Sequence, residues 1–211
     1  MKTDSVLGQV INEMLIEKGV ETPMFIQQAA AKETITHHFG KIMEALGLDL
    51  NDDSLSGTPK RVGRMYVEEI FSGLDYNTFP KCTAVESKMH YDEMIIEKDV
   101  TVSSTCEHHF VVINGLAKIA YIPKGKILGL SKINRIVNFF ARRPQIQERL
   151  GEQIYHALAF ILETEDVAVE ISAIHYCVKS RGIQDTNSYT VTRKLGGKFR
   201  ENHETRNEFL N

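Results

Sequence analysis

The 211-residue sequence predicts an α+β fold, and three features of its apolar pattern carry that prediction. Apolar residues recur at helical spacing through the first third of the chain. Near residue 93 the period changes to the alternation typical of strands, and two amphipathic helical segments later interrupt those strands. We therefore expect an N-terminal helical region, 1–92, continuous with a domain at 93–211. That domain should be an antiparallel sheet with a helix pair packed on one face.

Three segments of the N-terminal region predict helices. The first ends before Gly19, a common stop signal, and the third has the strongest boundary residues. In that third helix we expect Thr58 to be the N-cap and Pro59 to hold the first helical position, with Gly73 beyond the end. The three segments are 5–19, 32–48 and 58–73.

The β-rich part of the chain begins with two segments rich in Val and Ile. The second contains Asn114-Gly115, a dipeptide that favours a hairpin turn between apolar runs. A later segment alternates so regularly that His175 and Cys177 should share one face of a strand. A last strand ends at Gly196-Gly197. The four segments are 93–104, 109–123, 167–180 and 187–195.

Two helices are predicted between the second and third of these strand segments. The first covers 131–142 and is expected to be capped by Ser131, and Pro144 then breaks the chain before a second helix at 144–163. So short a link favours an angled or antiparallel pair.

Composition and charge exclude several classes of protein. The net charge of −3 gives no global attraction for nucleic acid or for an anionic membrane. No apolar run approaches the ~18–20 residues of a membrane span. The first ten residues include Asp4 and lack the apolar region of a signal peptide, so we do not expect them to act as one. The three cysteines suit a reducing compartment. We expect a cytoplasmic protein whose anionic ligands, if any, are held by a local basic cluster.

A cysteine and two histidines near residue 106 form the strongest chemical signal. Cys106 and His109 can chelate one ion if the chain turns between them, and Cys177 would complete a three-ligand zinc site with an open fourth position. A C-x-x-H pair alone is a weak signal, because most cysteines are small buried residues. Cys82 has no convincing partner and is interpreted as such a residue.

Other charged residues could bind an anion or serve as hydrogen-bond acceptors. Lys132 and Arg135 fall on the first turns of a predicted helix, a location that suits phosphate. Arg181 follows the Cys177 segment, and Glu148 lies near the start of its helix. Taken singly, each is better explained as a solvated surface charge. The sequence contains neither a P-loop nor a G-x-G-x-x-G turn.

Long stretches of the chain closely resemble GTP cyclohydrolase I. The resemblance is carried by STCEHHFVVINGLAKIAYIPKGKILGLSKINRIVNFFARRPQIQERL and by AIHYCVKSRGIQD, and it extends from about residue 5 to the end. It includes ETPM, DDSLSGTPKRVGRMYVEEIFSGLDYNTFPK and TRNEFL.

The resemblance implies conversion of GTP and water to 7,8-dihydroneopterin triphosphate and formate, with Zn²⁺ as cofactor. It also implies the tunnelling fold and a toroidal homodecamer with active sites at subunit interfaces. By position, the zinc ligands are Cys106, His109 and Cys177, and the acid–base histidines are His108 and His175. Glu148 would read guanine, with Gln147 and Ser131 close to the base; Lys132, Arg135, Arg181 and Arg61 would surround the triphosphate.

Three alternatives stay open on the sequence. One is a related tunnelling-fold enzyme acting on another purine or pterin, although a nitrile reductase of that fold would not need the Cys106, His109 and Cys177 set. Another is a nucleobase deaminase, whose H-x-E and P-C-x-x-C motifs are absent here. The last is a zinc-stabilised oligomeric binding module without turnover, which would require a fourth protein ligand.

Overall fold

The computed structural model describes residues 2–24 and 30–211, and its N-terminal part is helical as expected. The three helices are α1 (Ser5–Glu17), α2 (Ala31–Ala45) and α3 (Thr58–Arg64). Asp4 caps α1 by accepting a hydrogen bond of 3.0 Å from the backbone N–H of Leu7. The expected start of α3 is wrong by one residue: Gly57 is the N-cap, and Thr58 lies inside the first turn without a capping bond. A π-helical turn, Met65–Ile70, continues α3.

A five-stranded sheet forms the second part of the chain. Its strands are β2 (Ile95–Cys106), β3 (Val112–Tyr121), β5 (Pro144–Gln145), β6 (Val167–His175) and β7 (Thr190–Leu195). Four of them are antiparallel neighbours in the order β2, β3, β6, β7, and the two-residue strand β5 adds parallel to the end of β2. The sheet is therefore mixed at one edge rather than purely antiparallel. Two short strands, β1 (Val85–Glu86) and β4 (Lys126–Ile127), pair separately.

The predicted helix pair lies between β3 and β6 in the chain and packs on one face of the sheet. Its members are α4 (Leu130–Ala141) and α5 (Gln147–Leu162). Alternate strand residues such as Val102, Ile119 and Val169 join the buried face of these helices in the main core. Two short C-terminal helices, α7 (Gly197–Glu201) and α8 (His203–Leu210), help form a smaller apolar cluster with Ala120, Ala168 and other residues of the opposite parity.

The hairpin expected at Asn114-Gly115 is wrong. Both residues lie inside β3, where Gly115 pairs with Val102 on one side and with Ala173 on the other. A Cβ at Gly115 would lie 2.1 Å from the carbonyl oxygen of Ser172, so the glycine is required by the close approach of two strands. The turn between β2 and β3 occurs earlier, at residues 107–111.

The helix pair begins at different residues from those expected. Gly129, not Ser131, is the N-cap of α4, so Ser131 lies exposed in the first turn. Pro144 does separate the two helices, because residues 144–145 adopt the extended conformation of β5.

A buried arginine fastens the N-terminal segment to the junction between α4 and β5. Arg143 has no exposed surface, and its Nη1 donates a hydrogen bond of 2.7 Å to Oε1 of Glu21. Its other nitrogen, Nη2, donates to the backbone carbonyl of Gly73. The guanidinium carbon lies 5.0–5.1 Å from the ring centroids of Tyr76, Phe139 and Phe140. Removal of either charge would leave the other buried and uncompensated.

No helix within the described residues is both long and apolar enough to cross a membrane.

Candidate metal centre and substrate site

Three side chains suited to zinc meet at one end of the sheet. Cys106 ends β2, His109 lies in the turn after it, and Cys177 follows β6. Their possible ligand atoms all lie within 4.8 Å of one another. The fold therefore brings the expected metal ligands together, although Cys106 and Cys177 are 71 positions apart in the chain.

The turn at 107–111 returns the chain so that His109 faces the end of β2. The backbone N–H of Cys106 donates to the carbonyl of Val111 at 2.8 Å, and the N–H of Phe110 donates to the carbonyl of Cys106 at 2.9 Å. Phe110 has a φ of 54°, a left-handed conformation. Its ring packs edge-on against Tyr66 and Phe71, which connects the turn to the π-helical segment.

Cys177 reaches the site by a different route from the one that strand alternation predicted. β6 ends at His175, and Tyr176–Lys179 forms a single helical turn, which we label α6. The expectation that His175 and Cys177 share a strand face is therefore wrong. The helical turn nevertheless directs Cys177 toward Cys106.

The donor set fits a zinc ion. Two thiols and an imidazole are the ligands that zinc prefers, and three protein ligands are typical of catalytic sites. Burial raises the pKa of the Cys177 thiol, and the adjacent Cys106 sulfur raises it further. Two sulfurs that are costly to ionise together are stabilised as thiolates by a divalent cation between them.

The two histidines predicted to move protons occupy different environments. His108 is exposed, with Nδ1 3.6 Å from Sγ of Cys106. His175 is partly buried, and its Nε2 lies 2.8 Å from Oε1 of Gln147. Burial lowers the pKa of His175, whereas the nearby Glu148 carboxylate opposes that shift. A neutral His175 suits exchange of a proton near neutral pH.

Gln147 has protein partners for both ends of its amide. It is only 2% exposed, and its Nε2 lies within 3.1 Å of three acceptors: the carbonyls of Ile171 and Thr190 and the hydroxyl of Thr192. These acceptors fix the orientation of the amide, so Oε1 faces His175 and accepts its Nε2–H. The expected contact of Gln147 with the base stays a prediction.

Glu148 is the exposed member of the same helical turn. It follows Gln147 at the start of α5, and its charge is close enough to act on His175. We call the group Cys106, His109 and Cys177 the metal cluster. A carboxylate at the position of Glu148 can accept two hydrogen bonds from a ligand bound beside that group.

Of the predicted phosphate-binding cations, Arg181 lies at the metal cluster. Nη1 of Arg181 lies 3.1 Å from Nε2 of His109. Because guanidinium nitrogens only donate, that imidazole nitrogen accepts. Arg61 lies on α3, donates to the carbonyl of Ser54 at 3.1 Å and lines a cavity of about 710 Å³ with Lys32 and other residues.

The remaining predicted residues lie at the opposite end of the sheet. Ser131, Lys132 and Arg135 occupy the first two turns of α4, where the neighbouring Asn134 donates a 2.9 Å hydrogen bond to Glu97. Glu97 is near the start of β2 and Cys106 is its last residue, so roughly 30 Å of strand separates the two ends. One chain therefore does not place these three residues at its own metal cluster.

Sequence reasoning missed Arg149. Its guanidinium pairs with Glu107 in the turn at 107–111, which we call the metal turn. Nη1 donates to Oε2 at 2.6 Å, and Nη2 donates to Oε1 at 3.4 Å. A pair 42 residues apart leaves no signal in a single sequence.

Comparisons with known proteins identify the family of the chain. The family model for GTP cyclohydrolase I matches residues 35–211. The GTP cyclohydrolase 1 of Aeromonas salmonicida is 57% identical over 95% of this chain and 94% of its own length. The Vibrio parahaemolyticus enzyme of the same name is also 57% identical, over 96% of this chain and 95% of its own. That of Yersinia enterocolitica is 54% identical over the whole chain and 97% of its own. This chain belongs to the GTP cyclohydrolase I family.

Proposed function

We propose that this chain hydrolyses GTP to 7,8-dihydroneopterin triphosphate and formate, the first step of folate or pterin synthesis. The observation that carries the proposal is the meeting of Cys106, His109 and Cys177 beside His175 and Glu148. These side chains would supply the metal ligands, a proton-transfer group and a base-reading carboxylate at one end of the sheet.

Cys106, His109 and Cys177 would hold Zn²⁺, which supplies Lewis acidity that makes water a stronger nucleophile near neutral pH. His108 is positioned on the solvent side of the cluster and would donate a proton to N7 of guanine, which makes C8 more electrophilic. His175 would exchange protons in the later C8 or ribose steps. Gln147 fixes its Nε2–H, which leaves Nδ1 for that exchange.

Glu148 would select the base. Guanine offers N1–H and a 2-amino group to one carboxylate, whereas adenine offers no such pair of donors. A wrong base would leave the carboxylate desolvated and unpaired, which is a strong basis for discrimination. Arg181 and Arg61 would help neutralise the triphosphate.

We also propose that a second copy of the chain completes the site. Lys132, Arg135 and Ser131 match the family's substrate-binding residues, yet they lie far from the metal cluster of their own chain. A ring of chains that brings the α4 N-terminus of one copy to the metal cluster of the next would reunite them. The tunnelling fold and the toroidal decamer implied by the sequence resemblance have this property.

The direct test is to incubate zinc-loaded protein with GTP and to measure both formate and the fluorescence of the oxidised pterin product. We expect both products in equal amounts, with none from ATP and little after zinc is removed by a chelator. Zinc-loaded protein that binds GTP but releases neither product would be a binding module and would refute the proposed reaction. Formate without the pterin would indicate a different reaction on the same purine.

A further inference from the structure

The ion pair between Glu107 and Arg149 joins two parts of the proposed site. Glu107 lies between the candidate ligands Cys106 and His109, and Arg149 lies directly after Glu148 on α5. Both guanidinium nitrogens of the pair approach the carboxylate, at 2.6 and 3.4 Å. Such a two-point contact fixes orientation as well as distance.

The ion pair is partly shielded from solvent. The Arg149 side chain is 14% exposed and that of Glu107 is 27% exposed, unlike the largely exposed Lys41–Glu44 pair on α2. Partial burial reduces screening by solvent, so the contact is stronger than a surface ion pair. A backbone hydrogen bond joins the same two segments, because the N–H of Glu107 donates to the carbonyl of Gln145 at 3.0 Å.

The segment 145–149 therefore contacts the metal turn twice and His175 once, through Gln147. Glu148 lies between these attachment points. The turn at 107–111 carries the candidate ligand His109 and directly follows the candidate ligand Cys106. It has no helix or strand of its own to fix it, so its register relative to Glu148 depends on such contacts.

We propose that Glu107 and Arg149 are positioning residues, which set the metal-ligand turn at a fixed distance from the base-reading carboxylate Glu148. Neither residue needs to touch substrate or metal for this role. The proposal rests on the proposed function for its catalytic part, whereas its metal-binding part stands independently.

The test compares Glu107→Gln, Arg149→Gln, Arg149→Lys and the Glu107→Gln/Arg149→Gln double variant with the unaltered protein. Lys194→Gln is a matched control. Lys194 on β7 forms a partly buried 2.8 Å ion pair with Glu152, which lies on α5 as Arg149 does. Zinc affinity is measured by competition with a chromophoric chelator, and kcat and KM are measured with GTP. Thermal unfolding midpoints show whether each variant is folded.

Both single Gln variants should bind zinc about tenfold or more weakly and should lose a similar factor in kcat, which is the usual effect of removing a residue that orients a metal ligand. The double variant should be no worse than the worse single variant, because the two residues act as one unit. Arg149→Lys should have a zinc affinity and a kcat between those of Arg149→Gln and of the unaltered protein. Lysine keeps the positive charge but lacks the guanidinium group that makes the two-point contact. Lys194→Gln should stay within twofold of the unaltered protein.

Three results would overturn the proposal: zinc affinity unchanged in both single Gln variants, additive losses in the double variant, or full affinity in Arg149→Lys. Absence of formate from the unaltered protein would instead reject the proposed function, and the zinc measurements would still decide the positioning role.

Discussion

At the scale of single residues, two cysteines of similar burial have different surroundings. Cys82 and Cys106 are 5% and 4% exposed, yet only Cys106 lies beside a histidine and a second thiol. Burial raises the pKa of Cys82 to about 11, and Lys132 and Arg135 only partly oppose that effect. Burial alone therefore does not distinguish an inert thiol from a candidate ligand.

We expect Cys177→Ser to lose most of its bound zinc, because a neutral hydroxyl is a much poorer ligand than a thiolate. Metal content per chain after gel filtration measures the loss. Cys82→Ser is the control and should keep the full zinc content. Retention of zinc by Cys177→Ser would show that another side chain completes the site.

Glu148→Gln should reduce kcat/KM for GTP by at least a hundredfold while zinc content stays unchanged. The amide places a donor opposite a donor of guanine, so one hydrogen bond becomes a repulsive contact and a charge-assisted bond is lost. Steady-state kinetics and metal analysis on the same sample check both halves. Equal kinetics for the variant and the unaltered protein would remove Glu148 as the base reader.

At the scale of elements, the apolar period predicted every long helix and strand, but local signals often misplaced their ends. Asn114-Gly115 resembles a turn because a single sequence cannot show that Gly115 lies between two closely approaching strands. Thr58 and Ser131 resemble caps, but glycines hold those positions without any side-chain bond. Cys177 was placed at the site for the wrong reason, since β6 ends two residues earlier.

The candidate site, like the fold, has parts that the sequence predicted and parts that it did not. The metal set was predicted from residue type and chain order. β2 and β6 both run antiparallel to β3, so Cys106 and the helical turn α6 that carries Cys177 lie at the same end of the sheet. The partners of Gln147 and Glu107 depend on side-chain packing between elements that are distant in sequence. No periodicity contains that information.

α5 also carries a partly buried histidine, His156, whose titration should affect stability. Burial lowers the pKa of His156, and the charge of Lys18 lowers it further, whereas Glu152 opposes them. The unfolded chain, with an ordinary pKa near ~6.5, then binds more protons than the folded chain at mildly acidic pH. Stability from this group is present above pH ~6.5 and decreases as the pH falls through that value toward the lower folded pKa.

His156→Gln should therefore lose less unfolding free energy than the unaltered protein between pH 7.5 and pH 5.5. Urea denaturation at both pH values, at one protein and zinc concentration, measures the difference. The variant is compared with itself across pH, so any constant cost of the substitution cancels. Equal losses in the two proteins would show that His156 does not contribute.

At the scale of the whole molecule, three of the cations proposed to bind the triphosphate are divided between the two ends of the sheet: Arg181 lies at one end, and Lys132 and Arg135 lie at the other. The net charge of −3 supplies no general attraction for GTP. Under the proposed function, the divided cations would therefore have to meet in an assembly for the site to be complete. Activity should accordingly be a property of an oligomer.

Mixing two inactive variants tests this expectation. Lys132→Ala lacks a cation at the α4 end, and Cys177→Ser lacks a ligand at the metal end. When co-expressed, they should form some interfaces with both intact residues, and turnover should rise well above that of either variant alone. A site contained in one chain would give no such recovery, so activity that stays at the level of the separate variants would exclude a shared site.

The close approach of β3 and β6 at Gly115 has a consequence for evolution and for engineering. The backbone there leaves no volume for even a methyl group, so every substitution requires two strands to separate. Asn114, its exposed neighbour, carries no such constraint. In a saturation library selected for folded protein, position 115 should return glycine almost alone while position 114 returns many residues. Broad acceptance at 115 would show that the sheet can spread locally.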